Sequence, residues 1–496
     1  MEISIKKLII FTFILFLFIP ISYAITSVPV DQLNEKLNVS INIQQKDLEN
    51  PLEEITVLAE VENPSDKRFV LYLLKKENGE YKPLQTMGIV EPYSIIDLNM
   101  TIKVEYPGET NKETTYALVL SDEAGTINGK SFILSENWSK YESNIAESIA
   151  KANILLVPAI SLISILILMI LIESAFHRHI KGLLVNEYTL RSLFFPKIKG
   201  RPYEEKIADI MINPIFWIFE IIILGILFYF IFGSNVTDLG FDIGTQVFII
   251  SGLAAFLFPL IYLGLVWFLE MKPLRFLWSL FIFGSISALF AFILNTILGE
   301  FIISTFFSSL ASGSLILISA ALIAPIIEEF VKGMGLLLMS GHHEYDDTLT
   351  GLFFGFAIGV GFSFVENWFY FASKTSPFEI GFLAWVQLII YRSFFNSLAH
   401  GAITATAGAL IGYLKSYTPA RKYVRLGFIV ALLIAVPLHS LFNITALLDG
   451  NIKTVDVSLG LPFIFNPLFV VFLTVIFVSI YFVASNKKIK KLVIRQ

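Results

Sequence analysis

The stretch Ser314–Met339 reads SLILISAALIAPIIEEFVKGMGLLLM, and it is long and apolar enough for one helix to cross a bilayer, which takes about 20 residues. Three charged residues interrupt it: Glu328, Glu329 and Lys332. Each charge costs about 2.5 to 3.5 kcal/mol near the centre of a membrane helix. Ionisable groups at this depth nearly always face the interior of a helix bundle or a water-filled cavity. The stretch therefore predicts a working site inside the membrane.

The composition of the whole chain agrees with a membrane protein. The chain has 496 residues, of which 55% are hydrophobic, and a formal net charge of −5. Such a chain is too apolar to be soluble, and it predicts a polytopic α-helical membrane protein. The acidic balance argues against a nucleic-acid partner, because a phosphate-binding surface needs clustered Lys and Arg. The absence of cysteine excludes thiol proteases, thiolate metal sites and disulfides.

About nine apolar segments are long enough to span a membrane. They are approximately 153–174, 213–233, 246–269, 276–298, 314–340, 348–372, 383–414, 426–448 and 464–484. Lys and Arg concentrate in alternate loops, with seven in 175–212, four in 415–425 and five in the tail after Ser485. The positive-inside rule therefore predicts a cytoplasmic carboxyl-terminal tail and an amino-terminal domain outside the cytoplasm.

The amino-terminal part differs in pattern from the rest of the chain. Residues 1–24 carry two lysines, then an apolar run and a small-residue exit, which predicts a signal peptide, with an uncleaved membrane anchor as the alternative. Residues 25–148 alternate apolar and polar side chains in short runs between turn residues, which predicts an extracytoplasmic, all-β, immunoglobulin-like sandwich. We expect accessory membrane helices in 149–300, a core in 301–448, and a last helix with a basic cytoplasmic tail in 449–496.

The charged residues of the fifth segment have helical spacing. Lys332 follows Glu328 by four residues and Glu329 by three, so it can pair with either carboxylate, and the other is left over. An internal salt bridge that only ties helices together is the alternative to a functional role. Pro325 removes a helical hydrogen bond just before the acids, and it predicts a bend that opens the segment there.

Three later segments also carry polar side chains. In the sixth, glycines 351, 355 and 359 predict close approach of another helix on the face that continues to Glu366, Asn367 and Tyr370. Glu366 either takes a direct part in the chemistry or only hydrogen-bonds to Arg392 or caps the helix end. In the seventh, polar residues recur every four positions, at Arg392, Asn396, His400 and Thr404. In the eighth, His439 and Asn443 share one helix face.

The charges at membrane depth do not balance. Three glutamates face two cations, Lys332 and Arg392, which leaves one negative charge. A shared proton, a protonated histidine or a bound cation would offset it, and each of these belongs in a hydrolytic site that activates water. Imidazole and carboxamide groups, as in His439 and Asn443, suit the polarisation of a carbonyl.

Four motifs in this order resemble the PrsW family of intramembrane proteases, which is related more distantly to the type II CAAX prenyl endopeptidases. They are Ala324–Gly333 (APIIEEFVKG), Phe364–Tyr370 (FVENWFY), Arg392 with His400-Gly401-Ala402, and His439–Asn443 (HSLFN). The prenyl-protease relatives have phenylalanine four residues before the histidine of the third motif, where this chain has Asn396. That departure argues against a preference for prenylated substrates.

The resemblance implies an intramembrane endopeptidase with a membrane-protein substrate. By position, Glu328 is the general base, His400 helps to hold the water, and His439 and Asn443 form the oxyanion side. Glu329 and Lys332 would set the charge of the base. The supporting residues would be Lys332, Glu366, Asn367, Tyr370, Arg392 and Asn396. The resemblance leaves open a metal-free site or a divalent metal such as zinc, held by Glu328, His400 and His439.

Two other classes of function stay open from the sequence. A secondary transporter or ion-coupled permease could use the same buried charges in broken helices, although no second copy of the glutamate pair is present. A catalytically silent receptor or scaffold could act through its outer domain, which would then contact a protein or ligand. The acidic turn 342–347, HHEYDD, could be a metal or partner site, but a solvated turn is the better interpretation.

Overall fold

The computed structural model describes residues 28–29, 38–44, 47–121, 127–152, 202–238, 241–270, 274–307, 312–417, 423–451 and 464–494, with a few single positions between 164 and 195. Its contacts divide the chain into two units, Met1–Ile145 and Ala146–Gln496, and each is described by itself. The predicted signal peptide, 1–24, lies outside the described residues.

The first unit contains two antiparallel sheets. The strands are β1 Val28–Pro29, β2 Val39–Ile43, β3 Leu52–Asn63, β4 Phe69–Glu77, β5 Glu80–Val90, β6 Ser94–Glu105, β7 Asn111–Ser121 and β8 Ile127–Asn137. One sheet has the order β1-β5-β4-β7-β8 and the other β2-β3-β6. Alternate residues of β3 are buried, from Ile55 to Val61, because successive side chains of a strand point to opposite faces. The all-β region is therefore confirmed, and the immunoglobulin-like assignment stays a prediction.

The second unit is helical. After α1 (Ser139–Ala152) come α2 Tyr203–Met211, α3 Pro214–Asp238, α4 Phe241–Glu270, α5 Leu274–Phe306, α6 Ser312–Ile318, α7 Ala324–Met339, α8 Thr348–Phe369, α9 Pro377–Ile380, α10 Phe382–Tyr391, α11 Ser397–Ser416, α12 Val424–Asn451 and α13 Phe465–Ile494. Three short π-helical segments interrupt this series: π1 Ser319–Ile323, π2 Tyr370–Lys374 and π3 Arg392–Asn396.

Six helices of the described residues are long and apolar enough to cross a membrane. They are Thr245–Leu269, Leu274–Phe306, Ser314–Met339, Thr348–Ser373, Leu426–Leu448 and Phe465–Lys487. A pair bent by 65°, Glu205–Met211 with Pro214–Ile226, makes a seventh if it counts as one span. The predicted segment 383–414 is helical in α10, π3 and α11, and most of 153–174 lies outside the described residues. The chain is thus a multi-pass membrane protein, and the count of nine spans stays a prediction.

Helices α8 and α11 pack with their backbones close together, as the glycine pattern predicted. A Cβ placed on Gly351, Gly355 or Gly359 would collide with the carbonyl oxygen of Gly408, Thr404 or His400, respectively. Small residues let two helices approach in this way where larger ones would hold them apart. The contact brings the helix that carries Glu366 against the helix that carries His400.

The glycine contact gives a first testable prediction. Gly359→Ala is expected to lower the free energy of unfolding by about 1–3 kcal/mol, because the new methyl group has to push α8 away from α11. Gly264→Ala is the matched control, since a Cβ at Gly264 meets nothing within 4 Å. There alanine is expected to be neutral or to stabilise the helix by up to about 1 kcal/mol. Unfolding of both variants in detergent checks the difference, and equal stabilities would contradict the close packing.

The turn between α7 and α8 is packed more tightly than the sequence interpretation expected. His342 and Tyr345 are fully buried, so the turn is not simply solvated. His342 Nδ1 accepts a hydrogen bond from the backbone N–H of Glu344 (3.1 Å), and its Nε2 lies 3.6 Å from Asp209 Oδ1 on α2. The Lys415 ammonium donates to the His342 carbonyl oxygen. This turn therefore joins α2 and α11 to the core helices. The sequence did not predict its burial, because a run of polar residues does not show whether other helices will cover it.

Burial lowers the pKa of His342 from its ordinary value, and the nearby Asp209 opposes this only in part. A histidine with a depressed pKa stabilises the fold above about pH 6.5, and that contribution is lost as the pH falls towards the folded-state pKa. We expect the melting temperature to drop below about pH 6.5 and the drop to be smaller in His342→Asn, whose amide keeps an acceptor. His343→Asn is the control, because the His343 side chain is 41% exposed. Identical pH profiles for wild type and His342→Asn would refute this role.

Candidate functional site

A break in the helix that carries the glutamate pair is the first feature of the site. In the π-helical pattern of π1, a backbone N–H bonds to the carbonyl five residues earlier, as the Ala324 N–H does to the Ser319 carbonyl. The next bond in this pattern would need an N–H on Pro325, which proline lacks, so the Ala320 carbonyl is left without a helical donor. Asn443 Nδ2 of α12 donates to that carbonyl at 2.7 Å. One N–H of Asn443 therefore holds the break together, and this carboxamide has only the other N–H for the predicted oxyanion role.

Glu329 lies in the middle of a buried polar cluster. Its Oε1 accepts from Lys332 Nζ at 2.6 Å and lies 2.9 Å from His439 Nδ1. The Thr404 hydroxyl donates to Oε2 at 3.4 Å. Because a carboxylate only accepts hydrogen bonds, the proton of the His439 ring lies on Nδ1, and Nε2 keeps its lone pair. Glu329 thus fixes both the orientation and the tautomer of His439.

His400 has partners at both ring nitrogens. Lys332 Nζ lies 2.9 Å from Nδ1, and Glu366 Oε2 lies 2.9 Å from Nε2. An ammonium group only donates hydrogen bonds, so Nδ1 accepts and the proton lies on Nε2, where it faces Glu366. His400 therefore joins Lys332 to Glu366, and both nitrogens are already used.

Glu366 is held by three side chains. Arg392 Nη2 lies 3.0 Å from Oε1, and Asn396 Nδ2 lies 3.1 Å from Oε2, beside His400. Arg392 also stacks on the Tyr370 ring, with its guanidinium carbon 3.8 Å from the ring centre. The hydrogen bond to Arg392 that the sequence left as an alternative is present. The Arg392 guanidinium therefore neutralises the Glu366 carboxylate.

Asn367 is fully buried behind Glu366 and braces the same group. Its Oδ1 accepts from Arg392 Nε at 3.1 Å and from Asn396 Nδ2 at 3.0 Å. Its Nδ2 donates to the Ser363 hydroxyl at 3.1 Å. Asn367 and Ser363 keep Arg392 and Asn396 in place around Glu366.

Glu328 is the carboxylate of the three that no cation holds among the described residues. Its two closest side-chain contacts are long, 3.4 Å from Asn295 Nδ2 to Oε1 and 3.6 Å from His439 Nε2 to Oε2. Glu329 and Glu366 each have a cation within 3.0 Å, Lys332 and Arg392, respectively. The unbalanced negative charge that the sequence predicted is therefore assigned to Glu328.

Glu328 opens onto a cavity of about 540 Å³. The polar residues of its wall include Asn295, Glu300, Ser319, Glu328, Glu366, Tyr370, Arg392, Asn396, His439, Asn443 and Asn466. The apolar residues of its wall include Leu289, Phe292, Phe362, Val365, Phe369, Phe442 and Leu447. Seven of the predicted site residues thus line one cavity, whereas Glu329, Lys332, Asn367 and His400 lie behind the wall and hold the residues that line it.

Glu328, His400 and His439 could also hold a metal ion, because one ligand atom of each lies within 4.8 Å of the others. A carboxylate oxygen and two imidazole nitrogens form a donor set that zinc takes in hydrolytic enzymes. His439 already has the form of a ligand, with Nδ1–H held by the Glu329 carboxylate and Nε2 free. His400 would have to release the Nε2 proton first, because Lys332 donates to its Nδ1.

The sequence interpretation missed Asn295 on α5, which contacts Glu328, and it gave no role to Thr404 on α11, which contacts Glu329. A signal for Asn295 was present, since it is an amide inside the predicted span 276–298. Polar groups at that depth need partners or water, the same reasoning that selected Glu328. Thr404 continues the four-residue spacing of Asn396 and His400. That spacing did not assign it a role, because a threonine can satisfy its hydroxyl with a carbonyl of its own helix.

Part of the chain is similar to a known protein family. A family described as PrsW family intramembrane metalloprotease matches residues 272–480, the region from just before α5 into α13. No curated protein matches the chain, and no solved structure matches it. The matched region contains every residue of the cavity wall.

Proposed function

We propose that the protein is an endopeptidase that hydrolyses a peptide bond of another membrane protein, because residues 272–480 match the family described as PrsW family intramembrane metalloprotease. The observation that carries the proposal is Glu328, a carboxylate without a cation partner among the described residues, at the wall of a cavity of about 540 Å³. A general base needs such an environment, since a carboxylate held by a cation accepts a proton poorly.

In the proposed mechanism Glu328 takes a proton from a water molecule in the cavity. The resulting hydroxide attacks the carbonyl carbon of the substrate peptide bond and forms a tetrahedral oxyanion. The proton on Glu328 then passes to the leaving amine as the C–N bond breaks, which returns the carboxylate to its starting state. No charged intermediate of the protein remains at the end of this cycle.

His439 and Asn443 are proposed to face the carbonyl oxygen of the substrate. Both line the cavity, and Asn443 retains one N–H that is not needed by Ala320. The free N–H of Asn443 is a neutral donor, which stabilises a developing oxyanion without further reorganisation. His439 donates to the oxyanion from Nε2 only after that nitrogen takes up a proton, because its other ring proton faces Glu329. Glu329 supports this role, because its contact with Nδ1 at 2.9 Å holds the His439 ring.

The remaining polar residues act on the geometry of the site. Lys332 neutralises Glu329, and Arg392 neutralises Glu366, so Glu328 is the group left to exchange a proton. His400 links these two pairs, with a contact of 2.9 Å on each side. We propose that His400 is a positioning residue in this state and that Asn396 and Tyr370 keep Glu366 and Arg392 fixed.

A divalent ion such as zinc, where bound, would be held by Glu328, His400 and His439 and would supply a Lewis acid beside the substrate carbonyl. Elemental analysis of the purified protein tests this part by itself. One zinc per chain in the wild type, lost in His439→Ala, would support a metal at these residues. Full cleavage activity without bound metal would contradict it.

The predicted topology places this chemistry in the outer half of the membrane. By the positive-inside rule the tail after Ser485 is cytoplasmic, which puts Glu366, Arg392 and His439 nearer the outer surface. The β region would then lie outside the cytoplasm, where it could recruit a protein or ligand. The strand orders β2-β3-β6 and β1-β5-β4-β7-β8 support an immunoglobulin-like sandwich, since consecutive strands cross repeatedly between two antiparallel sheets.

The test of the proposed function is a comparison of membrane proteomes from cells with the wild-type protein and with Glu328→Gln. We expect new amino termini, mapped by mass spectrometry to positions within or next to membrane segments, in the wild-type cells alone. Glutamine has nearly the same size as glutamate, so insertion and folding of the variant should be unchanged. Identical sets of termini at equal protein levels would overturn the proposal.

A further inference from the structure

The carbonyl oxygen of Asn295 is a buried acceptor without a partner at the cavity wall. Five buried side-chain polar atoms of the described residues lack a hydrogen-bond partner, and among them only Asn295 Oδ1 belongs to a residue that lines the cavity. An unsatisfied buried carbonyl costs about 1–3 kcal/mol, so its presence in a native site calls for a ligand, water or ion that satisfies it.

The orientation of this amide follows from its neighbour. Asn295 Nδ2 lies 3.4 Å from Glu328 Oε1. The Glu328 carboxylate must be ionised before it can act as a base, and an ionised carboxylate only accepts hydrogen bonds. The NH₂ group of Asn295 therefore faces Glu328, and Oδ1 is directed away from it. One side chain thus holds the base and offers an acceptor next to it.

A substrate drawn from a membrane helix brings the matching donors. Within the bilayer each backbone N–H of a helix is satisfied by a carbonyl of the same helix. A segment has to unwind before its peptide bond can be attacked, and its N–H groups then lose those partners in an environment of low dielectric constant. The wall must supply acceptors for these N–H groups, or the unwound substrate will not stay in the cavity.

Two other acceptors of the wall already have partners. Glu366 accepts from Arg392, Asn396 and His400, and Asn466 Oδ1 accepts from the Tyr391 hydroxyl at 2.7 Å. Under the proposed function, Glu328 accepts a proton from the attacking water. Among the described residues of the wall, Asn295 Oδ1 is the buried side-chain acceptor that has no hydrogen-bond partner.

We propose that Asn295 is a substrate-binding residue. Its carbonyl oxygen, which is covered in this structure, turns towards the cavity when the unwound substrate enters and accepts a hydrogen bond from a main-chain N–H next to the bond that is cleaved. The inference rests on the proposed function, and it adds α5 to the helices that form the site. It ties the position of the substrate backbone to that of Glu328, since one amide contacts both. Because this hydrogen bond involves only the main chain of the substrate, we expect it to form whatever the substrate side chains are.

The test uses the purified full-length protein in liposomes and a synthetic transmembrane peptide that covers a cleavage site found in the proteome comparison. A series of peptides replaces one main-chain N–H at a time with an ester oxygen on either side of the scissile bond. For the wild type we expect one substitution in the series to lower kcat/KM by about tenfold to hundredfold.

Asn295→Leu, which lacks the carbonyl, should cleave the unmodified peptide more slowly than the wild type does. With this variant, the ester substitution to which the wild type is sensitive should cause no further decrease in kcat/KM. Asn295→Asp keeps an acceptor oxygen and should retain that sensitivity, although it lacks the donor to Glu328. Ser304→Ala, an exposed change on the same helix, should match the wild type.

The outcomes separate this inference from the proposed function. If Asn295→Leu is as sensitive as the wild type to every ester, Asn295 does not bind the substrate main chain, and the inference is overturned while the protease remains. If the wild type and Glu328→Gln treat the unmodified peptide alike, the proposed function itself has failed. Melting temperatures of all variants in the same liposomes exclude misfolding as the cause of lost activity.

Discussion

Lys332→Met is expected to lower the free energy of unfolding by about 3–5 kcal/mol, because it leaves the buried Glu329 carboxylate without its cation. Lys332 is fully buried, and its Nζ lies 2.6 Å from Glu329, 2.9 Å from His400 and 4.1 Å from the centre of the Phe362 ring. Methionine fills a similar volume without the charge. Unfolding in detergent micelles, followed by tryptophan fluorescence, measures the change.

Two further variants show whether burial is the cause. Lys151→Met removes the same kind of pair with the same N–O distance of 2.6 Å to Glu147, but both of those side chains are more than 60% exposed. An exposed pair contributes about 0–1 kcal/mol, so this control should be nearly neutral. The double variant Glu329→Gln with Lys332→Met removes both charges and should regain most of the stability. It should remain inactive, because the His439 ring then lacks its carboxylate. A Lys332→Met protein as stable as Lys151→Met would contradict the account.

The general architecture could be predicted from the sequence because the bilayer imposes strict requirements. A helix needs a long apolar run to cross the membrane, so the segments that form α4, α5, α7, α8, α12 and α13 are readable from hydropathy alone. A charge within such a run has a large cost, and for this reason the sequence alone identifies Glu328 and Lys332 as candidate site residues. The glycine spacing of α8 likewise predicted close contact with another helix, and the structure shows that this helix is α11.

The pairing of the charges could not be predicted in the same way. Helical spacing allowed Lys332 to pair with either Glu328 or Glu329, and only the packing of α7 against α11 and α12 decides for Glu329. The commitment of one Asn443 N–H to Ala320 depends on the π-helical register before Pro325, and no local pattern reveals that register. The role of Asn295 needed the position of α5, a helix outside the motifs that carried the resemblance.

The role of Glu328 gives the second prediction with a large effect. Glu328→Gln is expected to reduce the cleavage rate by a factor of at least about 10² to 10⁴, the contribution of general base catalysis, and to leave the fold intact. The amide cannot take a proton from water, whereas its size and its contacts with Asn295 and His439 remain similar. Glu379→Gln is the matched control, since Glu379 is exposed and does not line the cavity.

We propose that Glu328, a carboxylate without a cation partner among the described residues, drives peptide hydrolysis in the cavity. The measurement that tests it most directly is the rate at which the purified protein in liposomes cleaves a transmembrane peptide, for the wild type and for Glu328→Gln at equal melting temperature. The account predicts cleavage by the wild type and by Glu379→Gln and no detectable cleavage by Glu328→Gln. Cleavage by Glu328→Gln at a rate near that of the wild type would contradict it.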